Sequence, residues 1–237
     1  EGTSLEVSFD RSNYISRAIY EVYKTLIIAL ILVTIIIYLF LGNIRAFSNI
    51  YKLLDINHII VQKSEELKGV SKIILPGVGA FDDAMNKFNN SGLRNSVETM
   101  VFNEKIPLLG ICVGMQILAC SSDEGLEKGL GWIKSSVKIF DIDTISHDTK
   151  LPHMGWNTIF ITSKNEPLFQ GLDKDPNFYF LHSYYFESDN KKNIISETEY
   201  GIKYTSAVRS ENIYGVQFHP EKSHKNGVKL LKNFASI

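Results

Sequence analysis

The chain has 237 residues, enough for one good-sized domain plus an appendage. Its formal charge of −1, from 25 basic and 26 acidic residues, gives no reason to expect a polyanionic partner. Two cysteines, Cys112 and Cys120, are too few for a disulfide framework and suit a reducing, cytoplasmic setting.

In chain order, the first feature is an apolar run over residues 25–41, TLIIALILVTIIIYLFL. Its length falls at the short end of a membrane-spanning helix. It follows Glu6, Asp10, Arg11, Arg17, Glu21 and Lys24, which a secretory signal would not carry. Positive residues on both sides (Arg17, Lys24; Arg45, Lys52) leave an orientation open. Two readings compete. One is a candidate transmembrane helix over 25–41, with membrane association through it. The other is a buried, β-branched strand over 33–40, the first of a parallel sheet.

Beyond Gly42 the pattern alternates. Residues 44–54 have helical spacing, 58–61 read as a short strand, and 72–75 as another that ends in Pro76-Gly77-Val78-Gly79. Residues 81–88 and 93–103 read as helices, 107–109 as a strand and 115–119 as a helix. Short β-like runs follow at 132–140, 158–162, 178–181, 206–209 and 214–218, and an amphipathic helix at 225–234 closes the chain. Such alternation predicts an α/β fold: an open, mostly parallel sheet flanked by helices, with an additional N-terminal apolar helix. Ligands are expected at the carboxyl ends of its strands. Two regions are expected, 1–41 and a domain over 42–237.

The most informative stretch is Gly110-Ile111-Cys112-Val113-Gly114, a thiol between glycines at a strand-to-helix turn. Such an elbow presents a nucleophile at a helix N-terminus, and a nearby His favours its thiolate. A buried structural cysteine is the bland alternative, and it suits Cys120 better. His219 and Glu221, in Phe218-His219-Pro220-Glu221 after an apolar run, supply a base and an acid to orient it. The glycines of Pro76-Gly77-Val78-Gly79 would let backbone N–H groups approach a ligand, as an oxyanion hole requires. Taken alone, that loop reads as an ordinary tight turn. Gln116, Glu124, His153 and His182-Ser183-Tyr184 are weaker signals, each compatible with packing. His58, His147 and His224 lack metal-ligand spacing, so no metal site is expected. No phosphate-binding glycine fingerprint and no basic aromatic stripe are present, so neither a nucleotide cofactor nor nucleic acid is expected.

Together GICVGMQ and FHPE resemble the class I glutamine amidotransferases, whose fold is flavodoxin-like. LPGVGAFDDAM (75–85), PHMGWN (152–157), HSYYF (182–186) and PEKS (220–223) resemble more narrowly the glutaminase subunits of imidazole glycerol phosphate synthases. That resemblance covers residues 42–234. It implies that Cys112 attacks the side-chain amide of glutamine, that His219 moves the protons and that Glu221 orients His219. It implies an oxyanion hole near Gly77, Val78 and Val113. Glutamine would be held by Gly79, Gln116, Glu124 and the backbone around Ser183 and Tyr184. It further implies a heterodimer with a (β/α)8-barrel cyclase that receives ammonia in histidine biosynthesis, with Trp156, Tyr179 and Lys222 near the interface. No cofactor is implied.

Residues 1–46 resemble a different family, the resistance-nodulation-division efflux transporters. A chimera is one expectation for this stretch and an ordinary membrane anchor the other. The amidotransferase family begins with a strand ending in Asp-Tyr-Gly, where this chain has Ile37-Tyr38-Leu39-Phe40-Leu41 before Gly42-Asn43. A glutaminase feeding a sugar amidotransferase of surface-polysaccharide synthesis is the alternative function, since GNIRAFSNIYKLL, HSYYF and PEKSHKNG suit it too. A non-enzymatic membrane subunit is a third, against which the Cys-His-Glu set argues.

Overall fold

The computed structural model describes residues 12–145 and 150–237, with the side chains of 12–14 and 31–43 left aside. By internal contacts the chain divides into two units, residues 1–43 and 44–237.

Helix α1 runs over Ser12–Leu53. The expected strand over 33–40 is therefore overturned, because that backbone lies inside α1. Helical sequence on both sides lets the ladder propagate through the β-branched run, whose strand preference depends on having a neighbour to pair with. The membrane reading of 25–41 falls at 31–41 on side chains outside the described residues. Among the described residues no helix is long and apolar enough to cross a membrane. In the second unit the last turns of α1 bury Phe47 and Tyr51 in the core.

The elements after α1 are β1 (Ile73–Gly77), α2 (Phe81–Asn90), α3 (Arg94–Phe102), β2 (Leu108–Cys112) and α4 (Val113–Gln116). Then come β3 (Ser121–Ser122), β4 (Ser135–Ile139), β5 (His153–Thr158), β6 (Phe160–Ile161), β7 (Asn177–His182) and β8 (Tyr184–Ser188). The last are β9 (Ile194–Tyr200), β10 (Ile202–Ser210), β11 (Ile213–Val216) and α5 (His224–Ser236). The strand expected at 58–61 is absent: the chain there is irregular, and Ile59 and Ile60 stand exposed. It does not pair with β1, which stays an edge of the sheet among the described residues.

Among the described residues nine strands form one sheet in the order β1-β2-β11-β10-β8-β4-β3, with β9 on β10 and β6 on β9. Strands β5 and β7 pair separately. Only β1/β2, β2/β11 and β3/β4 are parallel, while the other six pairings are antiparallel. The expectation of a mostly parallel sheet is thus corrected to a mixed one. Parallel pairing needs a crossover, which α2 and α3 provide between β1 and β2. In the C-terminal half, hairpins such as β9–β10 and β10–β11 return the chain at once and force antiparallel neighbours.

The core follows from the element faces. Helix α2 buries Phe81, Met85 and Phe88, one stripe at helical spacing. Helix α5 buries Leu230, Leu231 and Phe234. Strand β2 is buried at every residue, as expected of a strand with parallel neighbours on both sides.

Candidate active site

Three parallel strands deliver the expected chemistry to one sheet end. In register, Gly77 at the end of β1 sits opposite Cys112 at the end of β2. Val216, the last residue of β11, sits opposite Ile111, so Gln217 and the following Phe218-His219 emerge on the same side.

Cys112 has φ 54° and ψ −114°, outside the regions open to ordinary side chains. Such a conformation costs about 1–3 kcal/mol and persists only where the surroundings enforce it. The surroundings here are glycines in backbone contact. A Cβ on Gly110 would lie 2.5 Å from the Gly114 carbonyl oxygen, and one on Gly77 would lie 2.2 Å from the Gly114 nitrogen. The helix after the elbow is shorter than the 115–119 expected. Regular α-helix ends at Gln116, and Leu118 and Ala119 continue in i→i+3 turns, bonding the carbonyls of Met115 and Gln116.

His219 and Glu221 lie together, with His219 Nδ1 2.8 Å from Glu221 Oε1 and side-chain exposures of 3% and 1%. The Nδ1–H donates to the carboxylate, which leaves Nε2 free to serve the thiol. Burial acts to lower the His219 pKa. It is outweighed first by the influence of Cys112, then by the bond to and charge of Glu221, so that it is pushed up to about 10. The His219 backbone is anchored as well: its N–H donates to Tyr179 O at 2.8 Å, and its carbonyl accepts from Ser223 Oγ at 2.6 Å.

Of the residues expected to stabilise an oxyanion, Gly77 pairs with Cys112 and Val113 follows it. Val113 opens α4, where first-turn amides lack helical partners, and Gly77, Val78 and Gly79 follow one another opposite it. Gly79 has φ +92°, a conformation that other residues rarely adopt. Just beyond, Glu124 Oε2 accepts from Phe81 N–H at 2.9 Å, tying the loop that carries Glu124 to the start of α2. Burial first, and then the neighbouring Asp82 charge, raise the Glu124 pKa against the lowering effect of that N–H. Asp82 returns the tie by accepting from the N–H groups of Leu126 and Glu127, both at 3.0 Å.

Gln116 is buried, and its Nε2 donates to the Tyr184 carbonyl at 3.0 Å and to Gln217 Oε1 at 3.1 Å. Its amide nitrogen is therefore occupied, and only Oε1 remains for a ligand. Half-buried Ser183 links β7 to β8, and the Leu181 carbonyl lies 3.9 Å from Cys112 Sγ. Trp156 and Tyr179 are cross-strand partners in the β5/β7 ribbon, with ring centroids 6.2 Å apart. Lys222 Nζ stands 5.9 Å from the Tyr179 ring centroid, so the three expected interface residues share one patch.

His153 and His182 are buried and hydrogen-bonded. His153 Nδ1 lies 3.1 Å from His182 Nε2, and both share the Tyr204 hydroxyl. Burial, and then the His153 charge, lower the His182 pKa to about 3, so the ring is neutral. Sequence reasoning passed over Gln217 beside the thiol and Asp82 at the start of α2. Gln217 was hidden inside an apolar run, and its only signal was its place two residues before His219. Asp82 carried no signal of its own within LPGVGAFDDAM.

A family model described as glutamine amidotransferase class-I matches residues 37–237. One described as the AcrB/AcrD/AcrF family matches residues 1–50. Imidazole glycerol phosphate synthase subunit HisH of Leptospira borgpetersenii is 53% identical over 196 residues, covering 83% of this chain and 96% of that relative. The proteins of the same name from Bdellovibrio bacteriovorus and Methanocaldococcus jannaschii are 50% and 44% identical. They cover 83% of this chain in both cases, and 96% and 95% of their own lengths. Among solved structures, PurLQS from Thermotoga maritima superposes with a TM-score of 0.62 at 16% identity, over 81% of this chain and 91% of that one. The glutaminase domain of CTPS from Trypanosoma brucei does so with 0.55 at 17% identity, over 84% and 89%. The structural likenesses speak for the fold alone. With the family match spanning the domain and its relatives this near in sequence, the chain belongs to the class I glutamine amidotransferases.

Proposed function

We propose that this chain is the glutaminase subunit of an imidazole glycerol phosphate synthase, hydrolysing glutamine to glutamate and ammonia for a (β/α)8-barrel cyclase. The observation that carries the chemistry is the junction of a strained Cys112 with a buried His219–Glu221 pair at the end of three parallel strands. The identity of 53% over 96% of a relative of that name supports the pathway.

In this reading the Cys112 thiolate attacks the side-chain amide carbon. Amides of Gly77 or Val78 and of Val113 stabilise the tetrahedral oxyanion. His219 donates its proton to the leaving nitrogen, and ammonia departs from a glutamyl thioester. A water then attacks the thioester, His219 takes its proton, and glutamate leaves with the thiolate restored. Glu221 keeps the imidazole oriented and balances its charge. Gly79, the Gln116 oxygen, Glu124 and the Ser183–Tyr184 backbone hold the substrate. Trp156, Tyr179 and Lys222 face the cyclase. Two unpaired cysteines suit work in the reducing cytoplasm. The run at 25–41 has no part in this reaction, and the match of residues 1–50 supports a chimera joined near Gly42. Sequencing the source DNA across that junction tests the latter.

The test of pathway is reconstitution with a barrel cyclase and, separately, with a sugar amidotransferase. Glutamine-dependent imidazole glycerol phosphate formation is expected. Ammonia transfer only to the sugar acceptor would sink the histidine assignment.

A further inference from the structure

Gln217 has no exposed surface and stands one residue beyond β11, its N–H fixed on the Ser206 carbonyl at 2.9 Å. Its side chain bridges two residues of the site. Oε1 lies 3.1 Å from Gln116 Nε2, and Nε2 lies 3.8 Å from Cys112 Sγ. The direction of these bonds is imposed by the network. The Tyr184 carbonyl can only accept, so the Gln116 atom 3.0 Å from it must be the nitrogen. That nitrogen spends its second hydrogen on Gln217, so the oxygen of Gln217 must face Gln116. The nitrogen of Gln217 is thereby turned toward the sulfur. Flipping Gln217 would set two amide nitrogens against each other, and flipping Gln116 would set its oxygen against the Tyr184 carbonyl.

The starting point of the chain is itself fixed. His182 Nδ1 lies 2.7 Å from the Tyr184 carbonyl, which requires the proton on Nδ1. His182 Nε2 is then an acceptor for the Tyr204 hydroxyl at 3.1 Å. Other ionisable groups also surround the sulfur: His219, with Glu221 behind it, and Tyr204 on β10, which feels the Cys112 charge. None of these dictates what Gln217 presents.

We propose that Gln217 is a positioning donor whose amide N–H, oriented by the Tyr184 carbonyl through Gln116, stabilises and aims the Cys112 thiolate. This rests on the reading of Cys112 as the nucleophile. A hydrogen bond to a charged acceptor is stronger than one between neutral groups, and an amide donor keeps its character at every pH. A further consequence concerns substrate: with both N–H bonds of Gln116 committed, that residue offers glutamine an acceptor and no donor.

The test is alkylation of the full chain by iodoacetamide as a function of pH, with Cys112 and Cys120 followed separately by mass spectrometry. In Gln217→Met the rate at Cys112 near neutral pH should fall about ten-fold, the loss of one charge-assisted bond. At alkaline pH, where the thiol ionises regardless, the parent and variant rates should converge. The rate at Cys120 should not change. A structural disturbance would instead alter the alkaline plateau, and that outcome, or an unchanged neutral rate in a folded variant, overturns the proposal. Should Gln217→Met fail to fold, Gln217→Asn decides. It keeps the polar group but withdraws it by about 1.5 Å, one bond length, and should give the same neutral loss. Iodoacetamide does not need the glutamine site, so this readout is independent of glutaminase activity. A parent chain that shows the profile yet never cleaves glutamine in any complex would refute the function above and leave the donor standing.

Discussion

The close glycine contacts predict how little the elbow tolerates. In Gly114→Ala the added Cβ would lie 1.9 Å from the Leu75 carbonyl oxygen and 3.2 Å from the Gly77 nitrogen. Contacts under 3.0 Å essentially do not occur for a real Cβ, and the obstacle here is backbone, which no rotamer change removes. The end of β1 and the start of α4 must therefore separate by about 1 Å, and overpacking of this kind costs about 1–3 kcal/mol of stability. The same displacement separates the Gly77–Val78 amides from Cys112. A misplacement of about 1 Å in a reacting constellation costs on the order of a hundred-fold in rate. Gly114→Ala should therefore lose about a hundred-fold in kcat/KM for glutamine, assayed as glutamate release in the complex, while its thermal unfolding stays cooperative. Gly92→Ala is the control. Its Cβ meets nothing within 4 Å, and its φ of +73° strains only the turn between α2 and α3. It should lose about 1 kcal/mol of stability and keep its turnover. A Gly114→Ala enzyme within two-fold of the parent would refute the claim that close glycine packing sets the site geometry.

The remaining expectations concern charge and the N-terminal unit. Because the His219 pKa is raised from 6.5 to about 10 in the folded chain, its protonation contributes stability that is complete below pH 6.5. That contribution is lost as pH rises toward 10. Glu221→Gln removes part of the cause, so denaturant unfolding should show the variant weaker than the parent at pH 6, with the gap closing by pH 10. A gap that widens with pH would contradict the sign. Deleting residues 1–43, which form their own unit, should leave glutamine turnover within about two-fold. Deleting through residue 53 should abolish cooperative unfolding, because Phe47 and Tyr51 leave the core and the Tyr51 hydroxyl loses its 3.3 Å bond to the Leu231 carbonyl.

The site was far more legible than the sheet. Cys112 announced itself because glycines on both sides are needed where backbones touch, and that requirement is written in composition. His219 and Glu221 were readable because a polar pair directly follows an apolar strand. Residues 33–40 were ambiguous for a physical reason: Val-Thr-Ile-Ile-Ile suits a buried strand and a helix interior alike, and only the neighbours decide. The short run at 58–61 misled in the same way, since a short apolar run is a strand only if it pairs, and this one stays irregular. Strand β5 went unread because its His-Met-Gly-Trp-Asn-Thr has only two large apolar residues, both exposed, and its partner β7 lies about two dozen residues on. The polarity of Gln217 was beyond sequence altogether, because it depends on a carbonyl at residue 184 acting through a side chain at 116.

The most direct measurement compares nitrogen sources in the complex with a (β/α)8-barrel cyclase, using the parent chain and Cys112→Ala. If Cys112 generates the ammonia, the variant should lose glutamine-dependent product formation by at least about a thousand-fold. It should still form product at the parental rate from added ammonium salts. Glutamine-dependent synthesis that survives Cys112→Ala, or a parent complex that uses only free ammonia, would contradict the account.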